Sequence, residues 1–148
     1  FEWMLEKAME YGVSRIQPVW THRGERTKEK RDRWNRILVS ALKQSQQLWL
    51  TELMPSILWE EYLVKAEGAG FIAHCEIGEK LHLFDALNPG ESCWLAIGPE
   101  GDFTAAEIAA AKEKGAREVS LGTQRLRTET AGLAAIQMFA LAQRLRSS

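Results

Sequence analysis

Two apolar runs in this 148-residue chain each stop at a glycine-bearing turn and re-enter as a helix. CWLAI at 93–97 meets GPEGD and then a helical pattern, and EVSL at 118–121 meets GTQRLRT and then another. A strand that ends this way leaves backbone N–H and C=O groups unpaired at the carboxyl edge of a sheet. That edge is where open α/β sheets bind their ligands. Two such turns in so short a chain predict a single pocket with two walls.

The rest of the chain keeps the alternation. Apolar periodicity predicts a helix over about 2–11, closed by Gly12, and a strand over 13–20. After a basic loop, the clearest helix covers 31–47, with Trp34, Ile37, Leu38, Ala41, Leu42, Ser45 and Leu48 on one face. A strand over 48–54 stops at Pro55, and Ser56 is placed to cap the helix ILWEEYLVKAE, which ends before Gly68. Strand FIAHC covers 71–75, and a short LHLF piece and an NPGE turn lead to CWLAI. Thr104 and Glu107 have the spacing of a capping box for a helix to Lys114, closed by Gly115. A last helix, about 129–144, is expected to bury Leu133, Ile136, Ala140 and Leu141. Five strands with intervening helices imply one α/β domain with a mostly parallel sheet flanked by helices.

Composition narrows the class. Hydrophobic residues at 45% supply a core, and no apolar run approaches membrane-spanning length, so no membrane partner is expected. Phe1 opens directly into an amphipathic pattern without a basic start, an apolar centre or a Met, which reads as a fragment cut at a helix. Cys75 and Cys93 sit in apolar runs and read as buried free thiols of a reducing, cytoplasmic compartment. With His22, His74 and His82 scattered, no metal site is expected. The net charge of -1 hides an asymmetry. Residues 1–50 hold ten Lys/Arg against six Asp/Glu, and residues 51–148 hold nine against fourteen. The segment THRGERTKEKRDRWNR is thus a candidate phosphate-contacting patch, although a solvated loop and helix start would carry similar charges.

Familiar phosphate and nucleophile motifs are absent. There is no GxxxxGK[ST] and no GxSxG, and Gly68 and Gly70 precede a strand instead of following one. In GPEGD, Gly98 and Gly101 are expected to supply positive φ and close approach of a ligand, and Pro99 to stiffen the turn. Glu100 could accept from a ribose hydroxyl or cap local N–H groups. A plain tight turn before a capped helix would use similar residues. In the second turn, Arg125, Arg127, Thr128, Glu129 and Thr130 crowd around Leu126. Capping explains the threonines and Glu129. It does not explain two arginines ahead of a helix start, where positive charge is disfavoured, so they point to an anionic or electron-rich substrate.

IGPEGDFTAAEI and LGTQRLRTETAGLAAI resemble the two signature loops of the RsmE-type ribosomal RNA uridine-N3 methyltransferases, of the SPOUT class. FEWMLEKAMEYGVSRIQPVWTHRGE and RWNRILVSALKQSQQ resemble the family's earlier blocks, so the likeness covers essentially the whole chain. It implies a SPOUT-type fold with a C-terminal trefoil knot, against the general avoidance of knots. It implies S-adenosyl-L-methionine as donor, held at Ile97, Gly98, Glu100, Gly101, Leu121, Gly122, Leu126 and Thr128, with His74 near the end of FIAHC. Small-subunit ribosomal RNA within an assembled subunit is the implied substrate, contacted by Arg23, Arg26, Gln44 and Arg125. Arg127 is the implied cation for the uracil anion, Glu129 the candidate base, and a homodimer the implied assembly. The family also carries an N-terminal PUA-like RNA-binding domain, expected to be missing here. Three positions depart: Asp102 stands where the family has the second glycine of GPEGG, and Gln46 and Gln47 stand where it has a Gly-Arg pair. The alternative class is an RNA-binding or dimerisation module of the same fold without catalysis, which donor binding would discriminate.

Overall fold

A computed structural model describes residues 1–147, with side chains through residue 145. The central feature is a four-stranded, wholly parallel sheet. Its strands are β5 (Ala69–Ala73), β6 (Leu81–His82), β7 (Cys93–Ile97) and β8 (Arg117–Ser120), in the order β6-β8-β5-β7. β5 registers Phe71 opposite Leu95 of β7 and opposite Arg117 of β8, so the three strands end together. Helices cover both faces, as an all-parallel sheet requires. On one side α3 (Trp59–Lys65) and α5 (Ala105–Glu113) bury Trp59, Leu63, Phe103 and Ile108 against Ile72 and Ala96. On the other, α4 (Leu83–Ala86) and α6 (Thr128–Ser147) bury Leu83, Ala135 and Ala142 against Phe71 and Val119.

The N-terminal third forms an annex. α1 (Glu2–Glu10) and α2 (Arg31–Ser45) enclose Leu5, Met9, Leu38 and Ala41 together with Leu53. Short parallel ladders join β1 (Arg15–Ile16) to β3 (Glu52–Leu53) and β2 (Val19–Trp20) to β4 (Ile57–Leu58). α1 reaches α6 at Gly132, where an added Cβ would lie 3.1 Å from the Met4 sulfur.

Several expected elements change form. The strand over 13–20 splits at Gln17-Pro18 into β1 and β2, because proline cannot donate to a ladder. The strand over 48–54 shrinks to Glu52–Leu53. Leu48 and Trp49 are 86% and 82% exposed, so Leu48 also leaves the apolar face assigned to α2. Ile57 and Leu58 pair as β4, so α3 begins at Trp59 and Ser56 does not cap it; its N–H donates to Glu29 Oε1 at 2.7 Å. Cys75 is exposed and Cys93 half-buried, because β5 ends at Ala73 and Cys75 lies past it. In α6 the buried residues are Ala131, Gly132, Ala135 and Ala142. Leu133, Ile136 and Ala140 are half-buried, and Leu141 is 49% exposed. Small residues face inward there because α6 packs closely on α1 and the sheet.

Candidate active site at the carboxyl edge of the sheet

Three adjacent strands release three turns at one edge: 74–80 after β5, 98–104 after β7 and 121–127 after β8. Hydrogen bonds join them. The Thr128 hydroxyl donates to the Gly98 carbonyl at 3.0 Å, tying the start of α6 to the second turn. The Cys75 N–H donates to Asp102 Oδ2 at 2.8 Å, tying the end of β5 to the same turn. Thr128 therefore opens α6 and crosses to Gly98, a role that helix capping alone does not describe.

The GPEGD turn closes through Asp102 N–H donating to the Pro99 carbonyl at 2.8 Å. Neither Gly98 nor Gly101 has positive φ. That conformation falls on Asp102, at φ 63°, where the resembling family has glycine. Aspartate is one of the few residues that visit this region readily, because its short carboxylate bonds locally. Asp102 Oδ1 accepts from the Phe103 N–H at 2.8 Å while Oδ2 holds Cys75. The close approach at Gly101 is also made by a different group. An added Cβ would lie 3.0 Å from Arg23 Cβ, so the glycine admits the Thr21–Gly24 loop. At Gly98 the neighbours are Asp102 Oδ1 and the Phe103 ring, each at 3.1 Å. Glu100 is exposed.

Arg23 points inward. Its Nη1 donates to the Gly101 and Phe103 carbonyls at 3.1 and 3.4 Å. Arg26 stacks over the Trp20 ring, 4.6 Å from its centroid. Gln44 lies exposed on α2 and makes no hydrogen bond to the turns among the described residues. Sequence reasoning read Glu107 only as a helix cap. It is 6% exposed, and it joins the edge by accepting from the His22 N–H at 2.6 Å. No local pattern links positions 85 apart, so the sequence held no signal for that bond.

The His74 ring is withdrawn, its side chain 3% exposed. Nδ1 accepts from the Glu76 N–H at 3.1 Å, which places the proton on Nε2, 2.9 Å from Glu118 Oε1. Partial burial raises the Glu118 carboxyl, but hydrogen bonds from His74 and Lys112 outweigh it and hold the group below its ordinary value.

The third turn is the open wall. The Ser120 hydroxyl and Gly122, at φ 134°, form a local loop at its base, beside Leu121. Beyond it, the backbone of 123–126 makes no hydrogen bond among the described residues, Leu126 included. Arg125 and Arg127 are exposed, and their guanidinium groups have no partner among the described residues. Glu129 turns toward α1, with Oε1 3.9 Å from the Phe1 nitrogen. Unpaired backbone donors and acceptors beside Ile97 and Leu126, next to two free guanidinium groups, suit a small polar ligand on one side and an anionic substrate on the other.

Fold and site together define a class: parallel α/β domains flanked by helices, with glycine-bearing turns and exposed arginines gathered at the carboxyl edge of the sheet. The comparisons with known proteins are specific. Residues 1–140 match the family described as the RNA methyltransferase domain, and the chain belongs to that family. It is 32% identical over 143 residues to the ribosomal RNA small subunit methyltransferase E of Synechocystis sp., covering 92% of this chain and 47% of that protein. A probable rRNA methyltransferase from Porphyromonas gingivalis superposes with TM-score 0.93 at 34% identity, covering 98% and 63% of the two chains. A ribosomal RNA small subunit methyltransferase E from Neisseria gonorrhoeae, solved bound to S-adenosyl methionine, superposes with TM-score 0.84 at 37% identity, covering 97% and 60%. The chain thus spans about half of the curated relative's length.

Proposed function

We propose that this chain is the methyl-transferring domain of an enzyme that uses S-adenosylmethionine to methylate N3 of a uridine in small-subunit ribosomal RNA. The observation that carries the reading is the joined carboxyl edge, in which Thr128–Gly98 and Cys75–Asp102 bonds fix three turns around the unpaired 123–126 backbone. That backbone fits the donor, since adenine presents both hydrogen-bond donors and acceptors and no side chain need discriminate them. When bound, S-adenosylmethionine supplies a methyl group already activated by its sulfonium, so no metal is required. Ile97, Gly98, Leu121, Gly122 and Leu126 line the edge that would hold it.

The protein's own task is alignment and charge. Holding the uracil nitrogen in line with the methyl is worth up to ~7–11 kcal/mol in well-oriented systems. N3 must lose its proton before its lone pair can attack, and the resulting anion needs a cation. Arg127, exposed and unpartnered among the described residues, is that cation. Glu129 can accept the N3 proton, although its carboxylate also serves the α1 contact. The target base must stand outside a stack to meet this geometry. Arg23, Arg26 and Arg125 present positive charge along the same edge for the RNA backbone.

The reading includes the trefoil knot, a cytoplasmic site of action and a PUA-like partner domain, on the likeness to the RsmE-type family. Among the described residues no helix is long and apolar enough to cross a membrane. It also includes a homodimer, supported by the Leu141 and Trp3 side chains, each about half exposed. Titration calorimetry with S-adenosylmethionine tests the core of it. Saturable binding at one site per chain is expected, with methyl incorporation into unmodified small subunits. A folded sample that shows no heat at millimolar ligand overturns it.

A further inference from the structure

Glu107 is the one charged residue in the core among the described residues, and its cap explains only half of its bonding. Oε2 accepts from the Thr104 N–H at 2.8 Å, and the Glu107 N–H is bound in return by the Thr104 hydroxyl at 3.2 Å, which completes a capping box. A capping box forms at the helix surface and does not require burial. Oε1 is directed instead to the His22 N–H at 2.6 Å, in the basic loop between β2 and α2. The Trp59 indole N–H donates to the Glu107 carbonyl at 3.2 Å, fixing the base of the strut.

The loop is shaped to receive it. Gly24 N–H donates to the Thr21 carbonyl at 3.2 Å, and a Cβ on Gly24 would lie 2.8 Å from the Thr21 hydroxyl, which would have to turn aside. Between these residues Arg23 reaches the Gly101 and Phe103 carbonyls with one nitrogen. A guanidinium has five N–H donors, so the other edge of this exposed side chain remains open to a phosphate. Loop and turn are therefore clamped at two points, by the carboxylate from below and the guanidinium from the side.

We propose that Glu107 is a positioning residue that makes the 21–26 loop and the 98–102 turn one unit, so that donor in the turn and RNA phosphate on the loop strengthen each other's binding. The inference rests on the methyl-donor reading and adds a coupling between its two ligands. Such coupling is reciprocal and runs from about five-fold upward in known systems.

The test compares the affinity of the full chain for an unmodified small-subunit ribosomal RNA transcript with and without saturating S-adenosylhomocysteine, the demethylated donor, which permits no turnover. The wild type should bind RNA about five-fold tighter or more in its presence. Glu107→Gln should abolish that ratio while donor affinity stays within about two-fold. Glutamine still serves in a capping box, but its NH2 group must then face the His22 N–H. Arg23→Ala, at an exposed position that leaves the cap untouched, should also bring the ratio to one, whatever its effect on RNA affinity itself. Amide exchange should show lost protection at 21–24 in Glu107→Gln with α5 unchanged. A wild-type chain that binds no donor overturns the methyl-donor reading. Donor binding with an RNA ratio of one in the wild type, or an unchanged ratio in both variants, overturns the coupling alone.

Discussion

Left-handed backbone at a residue with a side chain costs roughly 1–2 kcal/mol. Among the described residues, Gln46 (φ 59°) and Asp102 (φ 63°) are the non-glycine positions of positive φ. Both are positions where the resembling family has glycine, so at each of them the backbone is kept and the side chain is new. Their consequences differ. Gln46 is exposed at the end of α2 and makes no bond that offsets the strain. Gln46→Gly should raise stability by about 1 kcal/mol, a melting rise of roughly 2–4 °C for a chain of this size. Asp102 recovers its cost through the Cys75 and Phe103 N–H groups. Hydrogen bonds to a charged group contribute ~1.5–3 kcal/mol each, so Asp102→Gly should lower the melting temperature in the same assay. Arg127 and Glu129 separate in another way. Arg127→Ala should cut methyl transfer while melting and donor affinity hold, the mark of an interaction made chiefly in the transition state. Glu129→Ala should lower melting, donor affinity and turnover in parallel, because its carboxylate sits in the first turn of α6, where it complements the helix dipole. Equal behaviour of the two variants would reject this division.

Elements meet through a few tight contacts, and these set the next predictions. Gly70 of β5 lies under the Trp94 ring, where an added Cβ would collide with Cζ2. Trp94 is itself held edge-on against Trp59 and Tyr62, so moving it aside would break both ring contacts. Gly70→Ala should cost ~1–3 kcal/mol or more by overpacking, read as a lower denaturant midpoint with unchanged slope. Glu29 ties the basic loop to the entry of β4. Hydrogen bonding from the Ser56 side chain and backbone N–H holds its carboxyl below the ordinary value of 4.5. A carboxyl depressed on folding contributes stability that is present above that value and is lost as pH falls through its lowered one. Glu29→Gln should therefore flatten the fall of melting temperature as pH drops below the ordinary carboxylate value. These contacts also show where the sequence stopped being informative. The alternation of strands and helices, the Thr104–Glu107 box and both glycine turns were legible, because each is a local pattern. The withdrawal of His74 onto Glu118 and the use of Arg23 on the Gly101 and Phe103 carbonyls were not. They depend on partners far along the chain that no periodicity encodes. Leu48 and Trp49 read as strand on apolarity alone, but no partner strand reaches them.

At the scale of the whole molecule, α6 carries a half-exposed apolar outer face, since Leu141 is uncovered while Ala131, Ala135 and Ala142 face the core. If two copies pair there, light scattering at micromolar concentration should report twice the 16.8 kDa chain mass. Leu141→Glu should return it to one chain with melting little changed. A wild-type reading of one chain mass would remove the dimer.

The bond from Glu107 to His22 spans 85 positions, and that separation has a cost in time. A chain emerging from synthesis at ~5–20 residues per second waits on the order of ten seconds between the two partners. During that interval the 21–26 loop has β2 behind it but neither the carboxylate nor the Gly101 carbonyl to hold it. Thr128 arrives later still, after Gly98. The reactive edge therefore closes only after Thr128 has been made, long after the basic loop. A newborn chain carries its basic loop unfastened well before it can hold a ligand at all.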